Sequence, residues 1–531
     1  MSLNDLQSIR RLLERQSHLF RDVPPAFGRR KVFIYNMDAW QLGVFEMFLH
    51  LGLLRKGHAP RSVYDDGLLP LCAWENITVK PPSRLMLKQR FEFMYDSFGI
   101  RAAGVSSYLD PQSVRGKAEV LVGRTPDHEL TRLAQHGIAV GAIALRDLYQ
   151  YTLGRFEPAT PEDFCLYRRH LVHAVMSVDL ARAILARERP DVVVLVNGKS
   201  VMYSYMYEFA RREGIRVVTW EEGGFFDASV ILAHDDRAID FPIDDAAWRA
   251  ARSRPLSPEA DRAVTGYFDR WRRQEARYYT FYDRPESDWP AIQRRLDLPA
   301  GAKIISLFAN VIWDTNALDR DLAFGGMFDW ICRTVEYARG RPEVCLIVRA
   351  HPGEVRLSFK TRTPICETIR SYFGERLPPN VRLIGADSPL CSYTIARHSH
   401  RYAVYTSTLG AELTLMGLRP LICGRPLYAG RGLTCDVETP EQYFDWLDSA
   451  NDLPEPDVEG LKKLLHLVVF RLVKKPEFFD GIHGHPQKPR IRIESFEGFP
   501  ESMPVFDEIV ECVATGRPFV TVEPRDVPCI A

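Results

Sequence analysis

The sequence predicts an α/β protein built of two Rossmann-like, doubly wound domains with parallel sheets, followed by a helical C-terminal segment. Two apolar runs, DVVVLVNG (191–198) and VCLIV (344–348), have the composition of strands buried on both faces, as parallel strands are. A helical pattern and a further strand follow each of them, the alternation of a doubly wound sheet. The polar loops that end these strands hold Asn, Glu, His, Ser and Thr, the side chains from which ligand sites are made. A length of 531 residues is enough for two or three cores of ordinary size.

Composition narrows the classes of function. Lys plus Arg and Asp plus Glu each total 69, so no global field favours nucleic acid or an anionic bilayer. The ten cysteines are scattered without a CxxC pair, which speaks against a structural zinc site and for a reducing compartment. The opening MSLNDLQSIRRLLERQ reads as a polar amphipathic helix rather than a signal peptide, and no apolar run has the length of a membrane span. The expectation is a cytoplasmic protein.

In chain order, KVFIYNM (31–37) reads as the first strand and 39–58 as its helix, ending near Gly57. The stretch 61–83 reads as a polar loop, with Asp65-Asp66-Gly67 as a turn. Helices are expected over 85–98, 125–137 and 161–188. After the 191–198 strand come a helix over 200–214 and a strand IRVVTW (215–220), which closes on Glu221-Glu222-Gly223-Gly224. Ligands of open α/β sheets bind at that carboxyl edge. Residues 235–300 are charged, with aromatic residues interspersed and no α/β alternation, and read as a helical connection. Asp and Glu interrupt the basic–aromatic run there, which argues against nucleic acid as a partner.

A second alternation begins at AKIISLFANVIWDTN (302–316). It continues through helix 324–340, the 344–348 strand, helix 364–373, strand VRLIG (381–385), a short helix YTIARHS, strand YAVYT, a Ser-Thr turn opening a helix, strand PLICG and helix 441–450. The boundaries expected are 1–235 for an N-terminal acceptor domain, 236–300 for the connection, 301–450 for a nucleotide-sugar domain and 451–531 for a tail that returns to the first domain. Two such halves with a returning tail define the GT-B architecture. The tail helix GLKKLLHLVVFRLVKK (460–475) reads as a core helix with basic ends, or alternatively as a peripheral contact with the inner face of the cytoplasmic membrane.

Moving a sugar onto a hydroxyl requires a base for the proton, stabilisation of the departing phosphate and recognition of the nucleotide. Glu222 or its neighbour Glu221, beside Gly223, is the candidate base, and the sequence leaves the choice open. His351 and Pro352, with Arg349 or Arg356, and the turn Ser407-Thr408 with Gly410 are the candidate phosphate stabilisers, because a helix start offers unpaired N–H groups. Glu412, four residues beyond Thr408 on one helical face, is placed to accept from ribose hydroxyls. Tyr428, Gly430 and Gly432 shape a nearby loop, and Asn197, Asn310 and Asp314 stand at other strand ends. Singly these features also occur in ordinary turns and helix starts. Their coincidence at carboxyl strand edges in two successive domains is what points to a site.

AHPGE followed by YTSTLGAELTLMGLRPLICGRPLYAGRGLTCD resembles the capsule polysaccharide synthesis family of bacterial glycosyltransferases, which includes Kdo transferases. The order is shared: an HP dipeptide, a Ser/Thr turn before a helix with Glu, then G-x-P-x-Y-x-x-x-G-L-T. The resemblance covers roughly 345–436 and is thinner over 190–225, where VNGKS and WEEGG are similar to the strand ends of related GT-B enzymes; 1–160 and 235–300 are unmatched. It implies a base at Glu221-Glu222-Gly223, a nucleotide contact at His351-Pro352 and a phosphate contact at Ser407-Thr408. It also implies an inverting single displacement needing no cofactor or metal, with a CMP-linked Kdo or related acidic sugar favoured as donor and a saccharide or lipid-linked saccharide as acceptor. Asp319-Arg320-Asp321, a DxD match, reads as solvated charge. The competing expectations are a UDP- or GDP-hexose transferase, a sugar-nucleotide epimerase, or a non-catalytic polysaccharide assembly or export component.

Overall fold

The computed structural model describes residues 3–520 except 38–42, 72–82, 155–159, 201, 226–227, 274, 276–280, 283, 315–317, 358–359, 450–452 and 481–489. The chain divides into two compact units, one of Met1–Leu148, Phe156–Ala250 and Leu467–Ala531, the other of Tyr149–Arg155 and Ala251–His466.

The first unit is built on strands β1 (Lys31–Asn36), β2 (Ala59–Tyr64), β3 (Ala103–Gly104), β4 (Val192–Val196), β5 (Arg216–Glu222) and β6 (Val230–His234). Their order is β3-β2-β1-β4-β5-β6, with every pair parallel except β5–β6. Helix Gly43–Arg55 is buried at every position from Gly43 to Leu53, so it shows no polar face. One reason is the C-terminal helix Pro504–Thr515: a Cβ on Gly52 would stand 2.7 Å from Val510 Cγ2 and 3.1 Å from Phe506. Phe48 stacks on Phe478 at 4.0 Å, so tail residues complete the core of this sheet.

The second unit repeats the plan with β7 (Lys303–Phe308), β8 (Val344–Arg349), β9 (Val381–Ile384), β10 (Arg401–Val404), β11 (Leu421–Ile422) and β12 (Cys435–Asp436). The order is β12-β11-β10-β7-β8-β9, all parallel. Counted from its own first strand, this is the 3-2-1-4-5-6 order of the first sheet. Both units are therefore Rossmann-like, the pair of domains that makes a GT-B protein. Ile305, Leu307, Leu346, Val348 and Ala403 share one face of the sheet and pack with Trp330 and Ile331 of helix Met327–Arg339 into a continuous core.

Several expectations change. The span 125–137 is a 3₁₀ turn, Asp127–Arg132, followed by a Gln135–Ile138 bridge rather than a helix, while helices Pro111–Arg124 and Val140–Tyr151 were not expected. β2 lies partly in the stretch read as loop, and β6 was not expected at all. The start of the helix read over 39–58, part of the 61–83 stretch and part of the basic–aromatic run near 275 lie outside the described residues. The tail helix is interior: Leu461, Leu464, Leu465, Val468, Val469 and Leu472 are buried. Lys462 pairs with Asp261, Lys463 with Glu459 and Lys474 with Glu508, so its apolar face already lies within the protein. Among the described residues no helix is long and apolar enough to cross a membrane.

Candidate functional site

In the second sheet the chain order reverses between β7 and β10, and a crevice opens at such a point outside the carboxyl ends of the strands. Asn310 follows β7, and its Oδ1 accepts from the amide of Thr406, just past β10, at 3.0 Å. This bond ties together the two strand ends that flank the reversal. Ser407 and Thr408 come next. Ser407 Oγ accepts from Leu409 N at 3.2 Å, and its carbonyl accepts from the Tyr428 hydroxyl at 2.6 Å. Burial keeps the Tyr428 phenol well above its ordinary pKa, so it stays a donor.

Gly410 serves this packing: a Cβ there would stand 2.1 Å from the Tyr428 hydroxyl and 2.8 Å from Ile422. The close approach at Gly410 is thus made by Tyr428. Helix Leu409–Leu415 is only seven residues long and has no capping side chain at Thr408. Thr408 Oγ1 donates instead to Glu412 Oε1 at 3.1 Å, while the other Glu412 oxygen accepts from the Tyr393 hydroxyl. Glu412, 3% exposed, holds the helix start in place through both its oxygens. Gly430 turns with φ +73° and donates to Asp436 Oδ2 at 2.7 Å, folding the 424–436 loop back on itself.

His351 follows β8, next to β7. Its Nδ1 accepts from the amide of Gly353 at 3.0 Å. A backbone N–H can only donate, so the neutral ring carries its proton on Nε2. A Cβ on Gly353 would sit 2.8 Å from Nδ1 and 3.0 Å from Val311, which explains the glycine. Phe281 meets the imidazole edge-on at 5.4 Å, and Pro352 takes the αR turn that brings Gly353 under the ring. Asp314 closes the loop after β7, its amide donating to Val311 O at 3.2 Å.

Arg349 is positioned differently. It is 2% exposed, and its guanidinium donates to the carbonyls of Gly385 and Ser388, securing the loop after β9. Arg349→Met should therefore lower stability by about 3 kcal/mol, the scale of charge-assisted bonds to buried carbonyls, in a urea titration. Arg356 lies over the Tyr282 ring at 5.1 Å. In the DxD stretch Asp319 and Asp321 are both exposed, as a reading of solvated charge expects, while Asp321 also accepts from Tyr405 and the intervening Arg320 is buried.

In the first unit, Glu221 and Glu222 end β5, and successive strand residues face opposite sides of a sheet. Glu221 Oε2 accepts from Asn197 Nδ2 at 2.9 Å, and its Oε1 accepts from Glu222 N at 2.9 Å. Asn197, in a left-handed conformation, uses its Oδ1 to accept from Lys199 N at 2.8 Å and Ser200 N at 3.0 Å. Lys199, nearly inaccessible, pairs with Asp240 at 2.8 Å. Glu221 is thus the anchor of the loop after β4, and Glu222 takes the opposite face. A Cβ on Gly223 would stand 2.3 Å from Ser229 Oγ, so the β5–β6 connection requires glycine there.

No protein-family model and no curated protein matches the chain. Among solved structures it is similar to a Thermosulfurimonas dismutans KpsC, a beta Kdo 2,7 transferase, at 16% identity and TM-score 0.34 over 57% of this chain and 84% of that one. A Thermosulfurimonas dismutans KpsC described as a beta Kdo 2,4 transferase gives 16% and 0.34 over 61% and 86%. A Neisseria meningitidis UDP-GlcNAc 2-epimerase bound to UDP-GlcNAc gives 10% and 0.23 over 83% and 99%. These likenesses are distant and add nothing to what the strand order establishes.

The second unit brings Asn310, His351, Ser407 and Thr408 to one carboxyl edge, with Glu412 and Tyr428 behind them as supports. Arg349 is turned away into the fold. The supporting contact from Tyr393 carried no motif by which sequence could find it, and Lys199, though part of VNGKS, had no partner legible in the sequence.

Proposed function

We propose that this protein is a glycosyltransferase of bacterial surface polysaccharide synthesis, transferring Kdo or a related acidic sugar from a CMP donor to a saccharide hydroxyl with inversion and without a metal. The observation that carries this is the reversal edge of the second sheet. There, His351 is held by Gly353 with its proton on Nε2, on the strand next to the Asn310–Thr406 link and the Ser407-Thr408 turn. A neutral N–H donor and two hydroxyls suit phosphate oxygens and stabilise the charge that builds on a leaving phosphate. In the first unit, Glu222 accepts the proton of the acceptor hydroxyl as general base, while Glu221 and Asn197 hold the neighbouring loop.

The test is calorimetric titration of the purified full-length protein with CMP, UDP and GDP, with and without Mg²⁺. Selective, metal-independent CMP binding is expected. Selective UDP or GDP binding would move the donor to an ordinary hexose nucleotide, and no binding by any of the three would remove the transferase assignment.

A further inference from the structure

Glu354, three residues after His351, has none of its surface exposed. Its Oε1 accepts from Ile365 N at 3.0 Å, and its Oε2 is buried without a hydrogen-bond partner. Ile365 is the first residue of helix Ile365–Phe373, and the preceding Pro364 provides no side-chain cap. A carboxyl group eleven residues upstream in sequence thus accepts from the first amide of this helix, where the preceding residue offers no side chain to do so. The same residue belongs to the histidine turn: Glu354 N donates to His351 O at 3.1 Å, and Glu354 O accepts from Thr361 N at 2.8 Å. Thr361 Oγ1 in turn accepts from Trp313 Nε1 at 2.8 Å, on the loop after β7. One buried residue therefore joins a helix start, through its carboxyl, to the His351 turn and, by way of Thr361, to a second strand-end loop, both through its backbone.

We propose that Glu354 is a positioning residue for His351, a buried clamp that holds the HPGE turn closed when protonated and loosens it when ionised. The proposal rests on the His351 turn meeting the donor phosphate. Burial first, then Glu367, raises the carboxyl, against the Ile365 amide and Arg349, and the balance stands at about 7. The charged or titratable groups around it are Arg349 on β8, His351 in the turn, and Glu367 and Cys366 on the following helix. The sign follows from linkage. A carboxyl whose pKa is raised in the closed turn binds its proton more tightly there than in the opened turn. Closure is fully favoured below the solvated carboxylate range and weakens as pH rises through 7. For one proton, the closed-to-open ratio falls about tenfold between pH 6 and pH 8.

Two measurements on the full-length protein test this. Amide hydrogen exchange of 351–366, corrected for intrinsic exchange, should show protection falling about tenfold from pH 6 to pH 8 in the wild type. Protection should stay level in Glu354→Gln, which keeps an acceptor for Ile365 but cannot titrate. Level protection in the wild type overturns the clamp, and this outcome needs neither the variant nor any nucleotide. CMP affinity, measured at the same pH values, should fall with protection in the wild type beyond any fall seen in Glu354→Gln. His351 is common to both proteins, so the difference belongs to Glu354. Protection that titrates while CMP affinity runs identically in the two proteins overturns the positioning role. If CMP binds at no pH, the donor assignment and with it the positioning of His351 for a phosphate fail, while the exchange profile still decides the clamp.

Discussion

Glu222→Gln is expected to abolish transfer while leaving donor binding and melting unchanged. A positioned general base contributes about 10²–10⁴-fold to such a reaction, and glutamine keeps the shape while losing the ability to take a proton. The loss should appear in kcat, with nucleotide affinity by calorimetry within twofold of the wild type. Glu221→Gln is expected to behave in the opposite way. Both Glu221 oxygens accept, one from Asn197 Nδ2 and one from Glu222 N, each at 2.9 Å. Glutamine offers one acceptor and places its own N–H₂ against a donor. That leaves a donor unsatisfied at about 1–3 kcal/mol, which denaturant titration reads as lost stability. The alternation of strand residues is what separates these two neighbours: Glu221 shares the side of Thr219, whose hydroxyl receives the Ala238 amide, whereas Glu222 shares the side of Trp220. Full transfer activity in Glu222→Gln would remove it from the base role.

How far the sequence could be read follows from how local each feature is. Strands such as Val192–Val196 and Val344–Arg349 are buried at every position, so they stand out as unbroken apolar runs. β2 escaped because its first half, with Pro60 and Arg61, is half-buried or exposed and only its last three residues enter the core. Helix Pro111–Arg124 escaped because it buries only Val114, Ala118 and Val122, too thin an apolar stripe to mark it. The reverse error at 125–137 has a related cause: TPDHELTRLAQHG has helical composition, but Gly137 and Gln135–Ile138 pairing close it into a tight turn. At the site, strand-end residues were legible because a polar cluster after an apolar run is a local signal. Their partners were not. Asn310 finds Thr406 across 96 residues, Asn197 finds Glu221 across 24, and Tyr393 finds Glu412 across 19. Such bonds are set by strand order, which no single segment encodes. The same bonds reassign roles: a Glu412 engaged by two hydroxyls is a support for the Ser407-Thr408 turn, and an Arg349 engaged by two carbonyls is a support for the loop after β9.

Substitution of His351 should separate holding the turn from binding the donor. The two ring nitrogens have different tasks, Nδ1 accepting from Gly353 and Nε2 carrying the proton. The amide oxygen of asparagine falls close to the place of Nδ1, so His351→Asn keeps an acceptor for Gly353 and loses the Nε2 donor. Glutamine does the reverse, reaching the Nε2 position with an N–H while leaving Gly353 unmatched. A hydrogen bond to a charged phosphate is worth about 1.5–3 kcal/mol. His351→Asn should therefore weaken CMP binding by about 10- to 100-fold with an unchanged melting temperature. His351→Gln should retain more affinity than His351→Asn but lose protection at the Gly353 amide in hydrogen exchange. His351→Ala should combine both defects. If His351→Asn binds CMP as the wild type does, Nε2 makes no phosphate contact. The carboxyl edge of β8 would then owe its histidine to the turn alone, and donor recognition would fall to the Ser407-Thr408 side of the reversal.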